Sequence, residues 1–380
     1  MDELLLMSPG PTMVPENVLQ AGARPMINHR TDEFSYTLRE TLDNLKTVFG
    51  TRDNVFVFAG SGRTGVEAAL VNVVSPGEKV LVGTNGNFGE MMATICKEMG
   101  FEPVPVGQDW NRPLSPDEMR AALEKDSAIK TVAVVHNETS TGVVNDIKAL
   151  AEIAHRHDAI LVVDGVSSVG GMPVNLDEWQ IDLCATGSQK CLMSPPGLGI
   201  VAVGQRAWGR VERARSPRYC MDFRRFKEQA DKALPTTPGT SSVSLIRSLC
   251  EALRAIVAEG MENVYARHAL LANATRAGVV ALGLPFLPPL PWQTSFTVVT
   301  IGLENSGAFL DMLLKDYSLH LGRGLGKLAR DTFRIGVMGA AAHKQHIVRT
   351  LELTGHALVK AGLSGARPDA GAEAALKALA

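Results

Sequence analysis

Residues 129–165, IKTVAVVHNETSTGVVNDIKALAEIAHRHDAILVVDG, carry the pattern that decides the fold. "IKTVAVVH" and "AILVVDG" are short, continuous apolar runs rich in valine and isoleucine. Such runs predict strands buried on both faces. Between them, "IKALAEIAHRHD" spaces its apolar residues as one face of a helix does. Strand, helix and strand in that order make a crossover unit of a parallel sheet.

The same alternation extends outward in both directions. From about residue 55, "NVFVFAG" and "KVLVGTNG" are expected strands, with "GVEAALVNVV", "FGEMMATICKEMG" and the serine-capped "SPDEMRAALEKD" as helices. Downstream, "IDLCATG" and "LGIVAVG" add two strands. The expected fold is α/β, a mainly parallel sheet flanked by helices. After about residue 205 the character changes. "ERARSPRYCMDFRRFKEQADKALPTTPGTSS" is polar and predicts an irregular loop region. Long helices follow, broken at Gly260, then "TSFTVVTIG", a helix "NSGAFLDMLLKDY", a loop "LGRGLGKLARD", "TFRIGVMG" and a last helix "HKQHIVRTLELTGHALVKAG". This gives an expected division into an arm (1–15), a large domain (16–260), a smaller α+β domain (261–363) and an Ala-rich tail (364–380), read as frayed helix or disorder.

Composition narrows the function. The chain has 380 residues, 45% hydrophobic and 21% charged, with a formal net charge of −2. No basic field offers itself to nucleic acid and no polybasic run to a membrane surface. "MDELLLMSPGP" is acidic with a short apolar run, unlike a signal or transit peptide. Five cysteines, an odd number with no C-x-x-C pair, read as reduced thiols in a cytoplasmic protein. His155/His157 and His343/His346 lack a third ligand at metal spacing, so no metal is expected.

In parallel α/β sheets, ligands bind at the carboxyl ends of the strands. "FVFAGSGRTGVEAAL" puts a Gly-rich turn there, with Ser61, Gly62, Arg63 and Thr64 opening a helix whose free N–H groups suit an anion. Its spacing also fits G-x-G-x-x-G, but the acidic residue a dinucleotide fold wants is replaced by Glu78, before a strand rather than at its end. Phe88 is either a core aromatic or a ring to stack on a planar ligand. Thr139, Ser140 and Thr141 are turn hydroxyls or donors to a ligand oxygen. Asp164 follows four apolar residues, where a carboxylate is a helix cap or needs a positive partner. Lys190, in "TGSQKCLMSPPGLG", ends the next strand, where a free buried amine is costly. Taken together, these groups describe a planar, phosphorylated ligand with a protonated ring nitrogen and an aldehyde that takes a lysine, namely pyridoxal 5′-phosphate. The large domain is then the cofactor-binding one.

"SPGPTMVP", "GSGRTGVEAAL", "NETSTG", "LVVDGVSSVGG", "GSQKCLMSPPGLG" and "FRIGVMG" occur in the order seen in class-V aminotransferases of fold type I. From about residue 5 to about residue 362 the chain resembles the alanine–glyoxylate and serine–pyruvate (serine–glyoxylate) group. The resemblance implies transamination between a small amino acid and a small oxo acid. It makes Lys190 the lysine that takes the cofactor's aldehyde and Asp164 the partner of its ring nitrogen. Thr139 would bond the phenolic oxygen, Phe88 would stack on the ring, and Ser61, Gly62, Arg63 and Gln189 would surround the phosphate. Arg334 would hold the substrate carboxylate, with Gly10 and Arg323 on the substrate side. Thr237 and Thr240, in "LPTTPGTSS", would reach the phosphate of a second subunit, so a homodimer with shared sites is implied. His29 and Arg30 lie near an arm that covers the site in such proteins. Relatives often carry histidine where Arg63 and Val337 stand.

Other readings remain at this stage. The same cofactor could serve another amine (an aminophosphonate, ureidoglycine or pyridoxamine). It could also serve a lyase or desulfurase, for which Cys220 is the loop cysteine. A non-catalytic subunit, of the kind labelled as hydrogenase-associated, is a further alternative.

Overall fold

The computed structural model describes residues 4–288 and 294–380; Met1–Glu3 of the arm lie outside them. Its centre is a seven-stranded sheet, in spatial order Asn54–Ala59, Leu198–Val203, Leu183–Gly187, Ile160–Asp164, Thr131–Val135, Lys79–Gly83 and Glu102–Val106. Strands 160–164, 131–135, 79–83, 102–106 and 183–187 pair in parallel. Leu198–Val203 is antiparallel to both its neighbours. The reason is local: the Ser188–Gly197 stretch turns the chain back without a helix, too short a path for a parallel crossover.

The opening stretch folds as its pattern predicts. Asp146 caps the helix Ile147–Arg156 by accepting from Ala149 N–H at 3.0 Å. Ile147, Leu150, Ala151, Ile153 and Ala154 form its buried face. Alternate strand residues feed opposite faces of the sheet. Leu161 and Val163 join that helix in one core, while Ile160 and Val162 join Val66, Ala69 and Met92 in another. Each such fully buried aliphatic side chain contributes roughly 1.5–3 kcal/mol.

A second, antiparallel sheet follows in the order Phe286–Leu287, Val298–Gly302, Thr332–Gly336, Gly322–Arg323. Phe333 and Ile335 enter a third core with Leu271, Val299 and Leu351. Arg334, between them, therefore faces the other way, toward the large sheet. The N-terminal segment ties the two sheets together. Leu5–Leu6 pairs with Leu319–His320, Gly336 N–H donates to Met7 O at 2.7 Å, and Thr12 N–H donates to Gln189 O at 3.0 Å.

Two expectations need correction. The polar stretch after residue 205 holds a helix, Phe223–Ala230, capped by Asp222. Only a narrow edge of it is apolar: Phe223 and Phe226 stand 5.5 Å from Phe56 and 4.4 Å from Phe58. Its many charges hide that edge in the sequence. The tail is ordered as well, with helix Ala370–Ala378 burying Gly371, Ala372 and Ala375. Small residues make this packing close: a Cβ on Gly278 would stand 2.7 Å from Gly371 O.

Candidate active site

The carboxyl ends of the central strands enclose a cavity of about 280 Å³. Ser61, Gly62, Arg63, Phe88, Thr139, Asp164, Gln189 and Lys190 all line it, so eight of the expected residues meet in one place.

Lys190 Nζ donates to Pro9 O at 2.5 Å. Burial pushes its amine down to about 8, and the Arg334 charge acts the same way against weaker pulls from Cys191 and Asp164. Gly10 makes this possible: a Cβ there would lie 2.3 Å from Nζ, and its φ of +125° suits only glycine. Asp164 ends its strand with Oδ1 accepting from Val166 N–H at 2.9 Å. Burial pushes its carboxyl up to about 6, while the Val166 bond and Lys190 oppose the shift. Among the described residues no donor bonds Oδ2. A protonated ring nitrogen would supply the missing charge.

At the start of the helix Gly62–Val73, Thr64 Oγ1 accepts from Ser61 N–H at 3.1 Å. Among the described residues the N–H groups of Gly62 and Arg63 have no backbone acceptor. Gly62 must be small, because a Cβ would meet Val166 Cγ2 at 2.6 Å. Gln189 Oε1 is buried and unpaired on the same wall, as is Asn137 Oδ1. An unmet buried polar atom costs about 1–3 kcal/mol. Rotating the Gln189 amide exchanges its oxygen for an NH2 in the same shape, so it can serve a phosphate. Arg63 Nε donates only to Met91 Sδ, at 3.1 Å, and no carboxylate pairs with it among the described residues. Open N–H groups, an unpaired amide, a free cation, a buried carboxylate and a depressed lysine fit a phosphorylated pyridine with an aldehyde.

Phe88 is held by a residue that the sequence reading passed over. Glu138 is fully buried, and its Oε2 accepts from Phe88 N–H at 3.0 Å and Gly89 N–H at 3.1 Å. Its Oε1 accepts from Ser140 N–H and Oγ. Burial pushes this carboxyl up to about 6 against those bonds. Glu138 thus anchors the start of helix Asn87–Glu98, and with it the Phe88 ring. The only sequence signal is a carboxylate that follows the apolar run "TVAVV" after two intervening residues.

Thr139 Oγ1 donates to Ser167 Oγ at 2.8 Å, and Thr139 O accepts from Arg334 Nη1 at 3.2 Å. Arg334 also gives Nε and Nη2 to Arg323 O, at 2.9 and 2.7 Å. A guanidinium has five N–H donors, and these three bonds leave one on each terminal nitrogen. Burial pushes Arg334 down to about 10, with Glu138 opposing.

Arg323 differs from its expected place. Its side chain pairs with Asp311 at 2.5 Å on the surface, and only its carbonyl serves the site, as the seat of Arg334. Thr237 and Thr240 line a different hollow, of about 500 Å³, beside Phe58, Leu198 and Phe226. Arg30 Nη1 bonds Thr236 Oγ1 and Thr237 O, both at 2.9 Å, and His29 lies with Thr240. These four residues gather at hollows whose linings do not include Lys190. Val337 is core. Cys220 lies with Thr237, and Cys191 is buried, its thiol pushed up to about 12 by burial.

The family model described as "Aminotransferase class-V" matches residues 4–312. The chain is 38% identical to serine–glyoxylate aminotransferase of Methylorubrum extorquens, over 88% of this chain and 86% of that protein. It is 35% identical to the soluble hydrogenase small subunit of a Synechococcus species, over 100% of this chain and 99% of that one. The crystal structure of ureidoglycine–glyoxylate aminotransferase from Bacillus subtilis superposes with a TM-score of 0.94 at 27% identity, covering 100% of this chain and 98% of that chain.

Proposed function

This chain belongs to the class-V aminotransferases and is a pyridoxal-phosphate enzyme; we propose that it moves the amino group of alanine or serine to glyoxylate or pyruvate. The observation that carries this reading is that Lys190 and Asp164 line one small cavity and Arg334, from the smaller sheet, bonds the carbonyl of Thr139 in its wall.

When bound, the cofactor supplies an electron sink for negative charge at the substrate α-carbon. The chain's own residues do the rest. Asp164 holds a proton on the ring nitrogen. The two free N–H groups of Arg334 take the substrate carboxylate as a fork. Lys190 Nζ, neutral in a useful fraction at pH 8, takes the α-proton and returns one to the acceptor. Phe88 and the Pro9–Gly10 segment shield the reacting atoms from water.

We further propose a homodimer. Its support is the separate gathering of His29, Arg30, Thr237 and Thr240 at the Phe58 and Phe226 hollow, where a second copy would take them up. Light scattering should return twice the chain's 40.6 kDa; a monomer at working concentration would refute this. A desulfurase has no support in the cavity, because none of its lining residues is a cysteine.

The test is amino-group exchange with glyoxylate, run over L-serine, L-alanine and other amines. Serine or alanine should be consumed fastest, and Lys190→Ala should lose about 10²–10⁴-fold in rate. Exchange that ignores both donors, or survives Lys190→Ala, would refute the proposal.

A further inference from the structure

The short turn Gly339–Ala341 follows the strand that carries Arg334. It packs on the backbone of Lys190 and Cys191: a Cβ on Gly339 would lie 3.3 Å from Lys190 O and 3.2 Å from Cys191 O. Gly339 has a φ of +53°, so the contact and the left-handed backbone both call for glycine. This one residue touches the backbone that bears the amine and continues the strand that bears the carboxylate fork.

Two consecutive residues of helix Met261–Ala281 hold both of its backbone groups. Gly339 N–H donates to His268 Nε2 at 3.1 Å, and Arg267 Nη1 donates to Gly339 O at 3.4 Å and Ala342 O at 2.8 Å. Arg267 is itself fixed by two bonds to Glu259, at 2.6 and 2.8 Å. His268 is fully buried, with Nδ1 2.7 Å from Val264 O. The partners assign the tautomer. A carbonyl only accepts, so Nδ1 carries the hydrogen; an amide N–H only donates, so Nε2 offers its lone pair. A proton on Nε2 would set two donors against each other. Burial and the Arg267 charge push this imidazole down to about 4, against the Val264 bond and Glu259, so it stays neutral where Lys190 titrates.

We propose that His268 is a positioning residue: as the neutral Nδ1–H tautomer it clamps Gly339 and so fixes the Lys190 backbone relative to the Arg334 strand. The inference rests on Lys190 and Arg334 being the working pair.

The test uses the full-length chain and two variants. On cofactor-free protein, trace acylation of Lys190 against pH, read by mass spectrometry, gives the titration of its amine. His268→Phe removes the acceptor and should let the segment loosen and water reach the amine. Its titration should then rise by about one pH unit or more. His268→Gln, which can present an oxygen to Gly339 N–H, should restore the wild-type profile. A histidine with only a packing role would lower the melting temperature and leave the profile unmoved in both variants, which would overturn the proposal. Should His268→Phe not fold, exchange of the Gly339 amide in the cofactor-loaded wild type decides. Slow exchange is expected, and exchange at the rate of an open loop overturns the clamp. Neither readout needs turnover, so a failed exchange assay counts against the proposed reaction and leaves the clamp to be judged separately.

Discussion

Asp164 shows what a single side chain is asked to do. Its carboxyl is buried, bonded once at Oδ1 and pushed up to about 6, a poor arrangement for a carboxylate without a cation. A protonated ring nitrogen resolves it. Removing one partner of such a buried pair costs about 3–5 kcal/mol, so Asp164→Ala should weaken pyridoxal-phosphate affinity by about two to four decades. Titration of the cofactor into both proteins measures this; affinities within a few-fold of each other would refute the pairing. Lys190 and Asp164 were legible because each closes a buried apolar run with a charge. Arg323 was legible as an arginine in a loop, but not as a carbonyl. Which of its groups faces the site depends on the pairing of two short strands, and no local pattern states that.

Among the elements, the strand–helix alternation is plain because short, continuous apolar runs alternate with helically spaced ones along the chain. Helix Phe223–Ala230 escaped since two phenylalanines among charges make too narrow a stripe, and the tail helix since alanine and glycine give little contrast between its faces. Glu138 escaped for a different reason. It anchors the helix that begins at Asn87, some fifty residues earlier, and only the folded sheet brings them together. Its carboxyl rises from 4.5 to about 6 on folding. The folded state therefore keeps a proton that the unfolded chain has released between those values. Glu138 thus favours folding below pH 4.5 and loses that advantage as pH rises through 6. From pH 4 to pH 7, Glu138→Gln should gain about 2 kcal/mol of stability relative to wild type. Denaturant unfolding at several pH values reads this difference. A constant difference would mean that Glu138 titrates normally. Buried His136 and His268, both pushed down to about 4, act in the opposite direction in wild type and variant alike, and so cancel.

At the scale of the whole molecule, the site exists because two sheets meet. Lys190 and Asp164 stand on the large one, Arg334 on the smaller, and the N-terminal segment is hydrogen-bonded to both. The sequence motifs list these parts in order, but their meeting is a long-range event. The gathering of Thr237 and Thr240 in a hollow of their own has the same character. The central claim is that Lys190 works on a cofactor-borne aldehyde beside a carboxylate fork. The most direct measurement is the visible absorption of the full-length protein with added pyridoxal phosphate, before and after L-serine and then glyoxylate. The account predicts a yellow protein whose colour bleaches with serine and returns with glyoxylate, and a Lys190→Ala variant that does not cycle. A protein that stays colourless with the cofactor, or a Lys190→Ala variant that cycles like wild type, would contradict it.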